Sequence, residues 1–111
     1  MSESGAFVGA EDGNWTPTEP GVSRRIMAYL PELMMVEVAF EAGAVGSLHS
    51  HPHIQASYVA EGRFEVTIDG VKQELAQGGT FIVKPDLVHG VKALEKGRLI
   101  DTFTPHRPEF L

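Results

Sequence analysis

His49, His51, His53 and Gln55 stand two residues apart from one another, and His89 follows much later, after a proline-containing turn. Imidazole nitrogens and amide oxygens are metal donors, and alternate residues of an extended strand project to one face. Two imidazoles at that spacing can share one ion, with a further ligand arriving from a distant strand. Pro52 lacks an N–H and bends the strand, so the four clustered side chains need not all reach the same ion. A lone strand histidine is usually a surface or satisfied core residue. Three within five residues, plus one at a distance, point to a bound metal. Nitrogen and oxygen donors suit one divalent transition ion, whether Ni, Zn, Fe, Mn, Co or Cu.

A metal supplies an electrophile, and an enzyme built on it also needs a proton handler and a substrate anchor. The segment Leu99-Ile100-Asp101-Thr102-Phe103-Thr104-Pro105-His106-Arg107 offers both. Leu99, Asp101 and Phe103 share one strand face, so the Asp101 carboxyl is expected to be desolvated and its pKa raised. Arg107 has the planar fork that grips a carboxylate. An isolated Asp or Arg of this kind is more often a turn cap or a solvated terminal charge.

The elements that must carry these residues are short. The chain of 111 residues is one domain's worth, and 12 Gly with 7 Pro favour many turns over long helices. Met34, Val36, Val38 and Phe40 alternate with Met35, Glu37, Ala39 and Glu41, the period of a half-buried strand. Strands are expected at Arg25–Leu30, Met34–Phe40, Gln55–Ala60, Phe64–Ile68, Val71–Leu75, Phe81–Val83, His89–Ala93 and Arg98–Phe103, with Glu41–Gly46 as a turn. Asp69-Gly70 is a two-residue hairpin signal. Eight or nine short strands argue for an all-β sandwich or closed barrel. Residues 1–22 are expected to form a loose arm pinned by Trp15, and 23–111 the barrel.

Composition excludes several classes. The net charge is −6 and the basic residues are scattered, which argues against nucleic acid and against an anionic membrane surface. The absence of cysteine excludes disulfides, thiolate metal sites and a cysteine nucleophile. No apolar run approaches a membrane span and the first residues do not read as a signal peptide, so a cytoplasmic protein is expected. Exposed sheet edges favour a homodimer.

Gly43, His49, Ser50, His51, Gln55 and Gly62, with their spacing, resemble the first motif of the cupins, with Gln where Glu is usual. Gly78-Gly79, Pro85 and His89 are similar to the second motif, and the resemblance runs from about Arg24 to Phe103. It implies a small double-stranded β-helix (a jelly-roll barrel) and a metal held by His49, His51, Gln55 and His89. His53 falls where the motif has no ligand.

The stretch from Met34 to Arg107 looks like the KdgF group of cupins, which acts in pectin and alginate breakdown. That resemblance implies metal-dependent opening of cyclic unsaturated monouronates to open-chain keto-uronates. It also implies catalytic roles for Asp101, Phe103 and Arg107. The implied substrate is a small anionic sugar acid carrying an enol ether, a hemiacetal hydroxyl and a carboxylate. Three imidazoles and a neutral amide leave the ion's charge uncompensated, which favours Lewis-acid chemistry over oxygen chemistry. The competing readings are an Fe(II) dioxygenase, which would consume O₂, and a non-enzymatic sugar- or metal-sensing module.

Overall fold

A computed structural model describes residues 3–111; Met1 and Ser2, the start of the expected arm, lie outside the described residues. Among the described residues there are ten strands: β1 (Thr16–Glu19), β2 (Val22–Leu30), β3 (Leu33–Phe40), β4 (Val45–His49), β5 (Ile54–Glu61), β6 (Arg63–Ile68), β7 (Val71–Ala76), β8 (Thr80–Val83), β9 (His89–Ala93) and β10 (Gly97–Thr104). A single 3₁₀ turn, Pro108–Phe110, follows. The strands form an antiparallel six-stranded sheet, β1-β2-β3-β10-β5-β8, and a four-stranded sheet, β4-β9-β6-β7. No helix among the described residues is long and apolar enough to cross a membrane.

Alternation builds the inner faces. On β10, Leu99, Asp101 and Phe103 are buried while Arg98, Ile100 and Thr102 are half-buried. On β5, Gln55, Ser57 and Val59 are buried between exposed or half-buried neighbours. The apolar inward residues fall into two clusters, one around Val22, Phe40, Val59, Phe64 and Leu99, the other around Met34, Val36 and Phe103. Fully burying a side chain such as Phe64 contributes about 1.5–3 kcal/mol. Asp101 lies between Leu99 of the first cluster and Phe103 of the second, so the barrel carries a polar belt between two apolar layers.

Two expectations are corrected. Thr16–Glu19, inside the segment expected as an arm, pairs with β2, and β2 itself starts at Val22. Pro17 is accommodated because β1 is an edge strand. Farther upstream, Ser4 exchanges hydrogen bonds with the backbone of Tyr29, and Gly9 and Asp12 carbonyls accept from the Arg25 guanidinium. Arg25 is buried and needs acceptors, so it ties this stretch to the sheet. Trp15 stands 6.0 Å from the Arg25 guanidinium and remains 46% exposed. Second, the turn after Phe40 ends before Val45, where β4 begins. The chain breaks around Pro52, as its missing N–H suggested: His49 closes β4 and Gln55 lies on β5, so the clustered histidines and Gln55 do not share one strand. The hairpin at Asp69-Gly70 forms as expected, with φ of 49° and 81°.

Candidate metal centre

His49 and His89 are cross-strand partners on β4 and β9, with ring centroids 4.4 Å apart. Gly90 lets the two strands close. A Cβ there would stand 2.8 Å from the Gly46 carbonyl oxygen, closer than real Cβ atoms approach. His51 sits in the loop between β4 and β5, buried, with its ring 4.8 Å from that of His89. One nitrogen from each of His49, His51 and His89 lies within 4.8 Å of the others, so these three could hold a metal ion. Gln55 reaches the same point from β5: its Oε1 is 3.0 Å from His51 Nε2 and 3.1 Å from His89 Nε2.

The hydrogen bonds around these donors aim their lone pairs inward. The Nδ1–H of His49 donates to the Ser47 carbonyl at 2.8 Å, and the Nδ1–H of His89 to the Leu87 carbonyl at 2.9 Å. With Nδ1 as donor, each Nε2 carries a lone pair. His89 Nε2 and Gln55 Oε1 are thus two acceptors facing one another, an arrangement that a cation between them satisfies. Burial, together with the charges of His49, His51 and Arg107, pushes His89 down to about 4 against the Leu87 bond that raises it. Burial likewise lowers His51. Burial thus favours the neutral form of both imidazoles, the form that binds metal.

The Gln55 amide is oriented by a chain of two hydrogen bonds. Its Nε2–H donates to Ser57 Oγ at 3.0 Å, and the Ser57 hydroxyl donates to Asp101 Oδ1 at 2.6 Å. Oε1 is thereby turned toward the imidazoles. Burial pushes the Asp101 carboxyl up to about 6, outweighing the Ser57 hydrogen bond and the Arg107 charge, which both lower it. The desolvation expected from its strand neighbours is thus present.

His49, Gln55 and His89 line a cavity of about 160 Å³ together with Asp101, Phe103 and Arg107. A cavity of about 150 Å³ holds a benzene-sized ring, so this one has room for a six-membered ring. Arg107 lies beyond the end of β10 with its guanidinium 5.2 Å from the Phe103 ring centroid and 4.3 Å from that of Phe110. His53 is buried, but its Nε2–H donates to the His106 carbonyl at 3.0 Å, which fastens the segment that carries Arg107. His106 itself is half-buried and gives only its backbone to this contact.

Sequence reasoning passed over Ser57 and Arg24. Ser57 is two residues beyond Gln55 on a buried face, and Arg24 interrupts the inward apolar series Val22, Ile26 on β2. A polar residue in an inward register position was the signal in both cases.

Two facing antiparallel sheets with histidines gathered at one end of the barrel define a small jelly-roll protein with a candidate metal centre. The chain belongs to the cupin family: the cupin domain family model matches residues 36–107. It is 44% identical over 99 residues to the pectin degradation protein KdgF of Dickeya dadantii, covering 87% of this chain and 90% of that one. Among solved structures it is similar to KdgF from Halomonas sp., with 41% identity, a TM-score of 0.92 and coverage of 97% of this chain and all of that one. An RmlC-like cupin from Shewanella frigidimarina matches over the full length of both chains at 40% identity and a TM-score of 0.96.

Proposed function

We propose that this cupin opens cyclic unsaturated monouronates, derived from pectin or alginate, to open-chain keto-uronates. The observation that carries the reading is a buried carboxyl with its pKa pushed up to about 6, set in one cavity with the histidine cluster and Arg107. The likeness to KdgF proteins over most of the chain supports it. His49, His51, Gln55 and His89 would hold one divalent transition ion. When bound, that ion supplies a Lewis acid that favours negative charge on substrate oxygen.

The remaining work falls to side chains. Arg107 binds the substrate carboxylate. Asp101 holds Ser57 with Oδ1 and keeps Oδ2 for proton transfer, taking the hemiacetal proton and returning one to carbon as the ketone forms. A carboxyl with a pKa near 6 can do both near neutrality. Phe103, 2% exposed, walls the ring against water. His53, through the His106 carbonyl, steadies the approach of Arg107. A homodimer belongs to the same reading, because the outer face of the larger sheet exposes Leu33, Tyr58 and Ile82.

The test is a ring-opening assay. Unsaturated monouronates from pectate or alginate are mixed with metal-loaded protein, and the ring alkene absorbance is followed. Protein-dependent loss that a chelator abolishes is expected. Unchanged absorbance with metal demonstrably bound would overturn the reading, and oxygen uptake would then be measured. Light scattering tests the dimer, which a monomer mass would overturn.

A further inference from the structure

Arg24 lines the same cavity from β2, opposite Val38 on β3. Its guanidinium stands 4.0 Å from the Phe110 ring centroid, and that of Arg107 stands 4.3 Å from the same ring. Two positive groups thus share one aromatic side chain. Arg107 has Glu109 as a partner, through Nε–H to Oε2 at 2.9 Å. Arg24 makes no ion pair and no side-chain hydrogen bond among the described residues. Burial and the nearby Arg107 charge hold its pKa below the ordinary value, while Glu109 raises it.

No nearby acid pairs with Arg24: Glu109, whose charge raises its pKa, is bonded to Arg107. Glu19 accepts from the Ser47 backbone N–H at 3.1 Å, and Asp101 is engaged by Ser57. A half-buried guanidinium next to a second one, with no anion of its own, is costly unless a ligand supplies the charge. The planar fork faces a cavity of ring size, where a carboxylate can be bound by two donors at once.

We propose that Arg24 is a second carboxylate anchor, acting with Arg107 beside the Phe110 ring, so that the cavity selects six-membered sugar acids over neutral sugars of the same size. This rests on the monouronate reading of the cavity, and its test is made separable from the ring-opening reaction. The probes are galacturonate and galactose, titrated calorimetrically into metal-loaded native protein and into Arg24→Gln and Arg24→Lys. Native protein is expected to bind galacturonate in preference to galactose. R24Q should weaken galacturonate about ten- to a hundredfold, the loss of one charge-assisted contact, with metal content and thermal midpoint kept. R24K keeps the charge without the planar stacking face and should recover part of the affinity. A merely structural role, holding Phe110 in place, would leave R24K as impaired as R24Q.

The proposal is overturned if native protein does not distinguish the two sugars, or if R24Q binds galacturonate as well as native protein does. Ring opening that fails while Arg24-dependent galacturonate binding persists removes the reaction and keeps the anchor. Ring opening that proceeds with an unchanged KM in R24Q removes the anchor and keeps the reaction.

Discussion

Arg24 and Arg25 are neighbours on one strand and live in opposite circumstances. Arg25 is 5% exposed on the outer side of the sheet, and Glu37 accepts from its Nε–H and Nη2–H at 3.1 and 2.9 Å. Glu37 also accepts from Arg98, which in turn pairs with Glu61, so every charge in this ladder is answered. Arg24 faces the cavity with no ion pair or side-chain hydrogen bond among the described residues, and Glu109, the acid that acts on it, is bonded to Arg107. The same division separates two carboxyls on the strands beside them. Glu37 lies opposite Ile100, and Asp101 lies opposite Val36, so they occupy opposite faces of one sheet. Burial raises both, but hydrogen bonds from Arg98 and Arg25 bring Glu37 below the ordinary carboxylate range, while Asp101 stays up at about 6. Where the fold needs polar groups it pairs them; where the cavity needs them it leaves part of their bonding capacity open.

The sharpest break of this contrast is Asp101→Asn. Turnover should fall about 10²- to 10⁴-fold, the usual worth of a positioned acid–base group, with metal content unchanged. In native protein kcat/KM should decline as pH falls through about 6 or lower, because the base form is required and a bound cation favours that form. Metal-free D101N should also be more stable than native protein at pH 8, by about 3 kcal/mol. A raised folded pKa means stability is full below the unfolded pKa and is lost as pH rises through about 6. The difference should therefore vanish by about pH 4. Full activity in D101N would remove the assigned role.

Ser57→Ala is expected to have a smaller effect. It releases the Gln55 amide and one bond to Asp101. Metal affinity, read by competition with a chelating dye, should weaken about tenfold. The acidic limb of the pH profile should move upward, because the lost hydroxyl had lowered the Asp101 pKa. Ser57→Thr keeps the hydroxyl and should restore both. An unshifted limb in S57A would show that Ser57 is only packing.

The histidines of the candidate metal centre were legible because three clustered imidazoles plus one at the motif distance have few bland explanations. Asp101 was legible because period-two alternation from Leu99 to Phe103 gives its face directly. Arg24 was not, because its inward phase depends on β2 starting at Val22, and residues 1–22 read as an arm. Shifting a strand by one residue exchanges its faces, so Arg24 and Arg25 cannot be told apart without the partner strand. β4 was missed for another reason: Val45–His49 is largely exposed and includes Gly and Ser, so pairing with β9, not propensity, makes it a strand. Ser57 was overlooked because a serine in a strand carries no signal until Gln55 and Asp101 are seen on either side of it.

The smallest kinetic effect is expected from the ladder, and it carries the comparison furthest. Glu37→Gln removes the charge between Arg25 and Arg98 without emptying the space. It should cost about 2 kcal/mol in urea unfolding near pH 7 and leave kcat and KM as they were. Its pH dependence should run opposite to that of D101N. A depressed folded pKa gives stability that is present above the unfolded pKa and is lost as pH falls through the folded one. Native protein should thus outlast E37Q at neutral pH and lose that advantage below about pH 4, after the gap between native protein and D101N has closed. If E37Q instead altered kcat while stability held, the outer ladder would be coupled to the cavity through β3 and β10, and the two faces of the sheet would not be the separate regions their bonding describes.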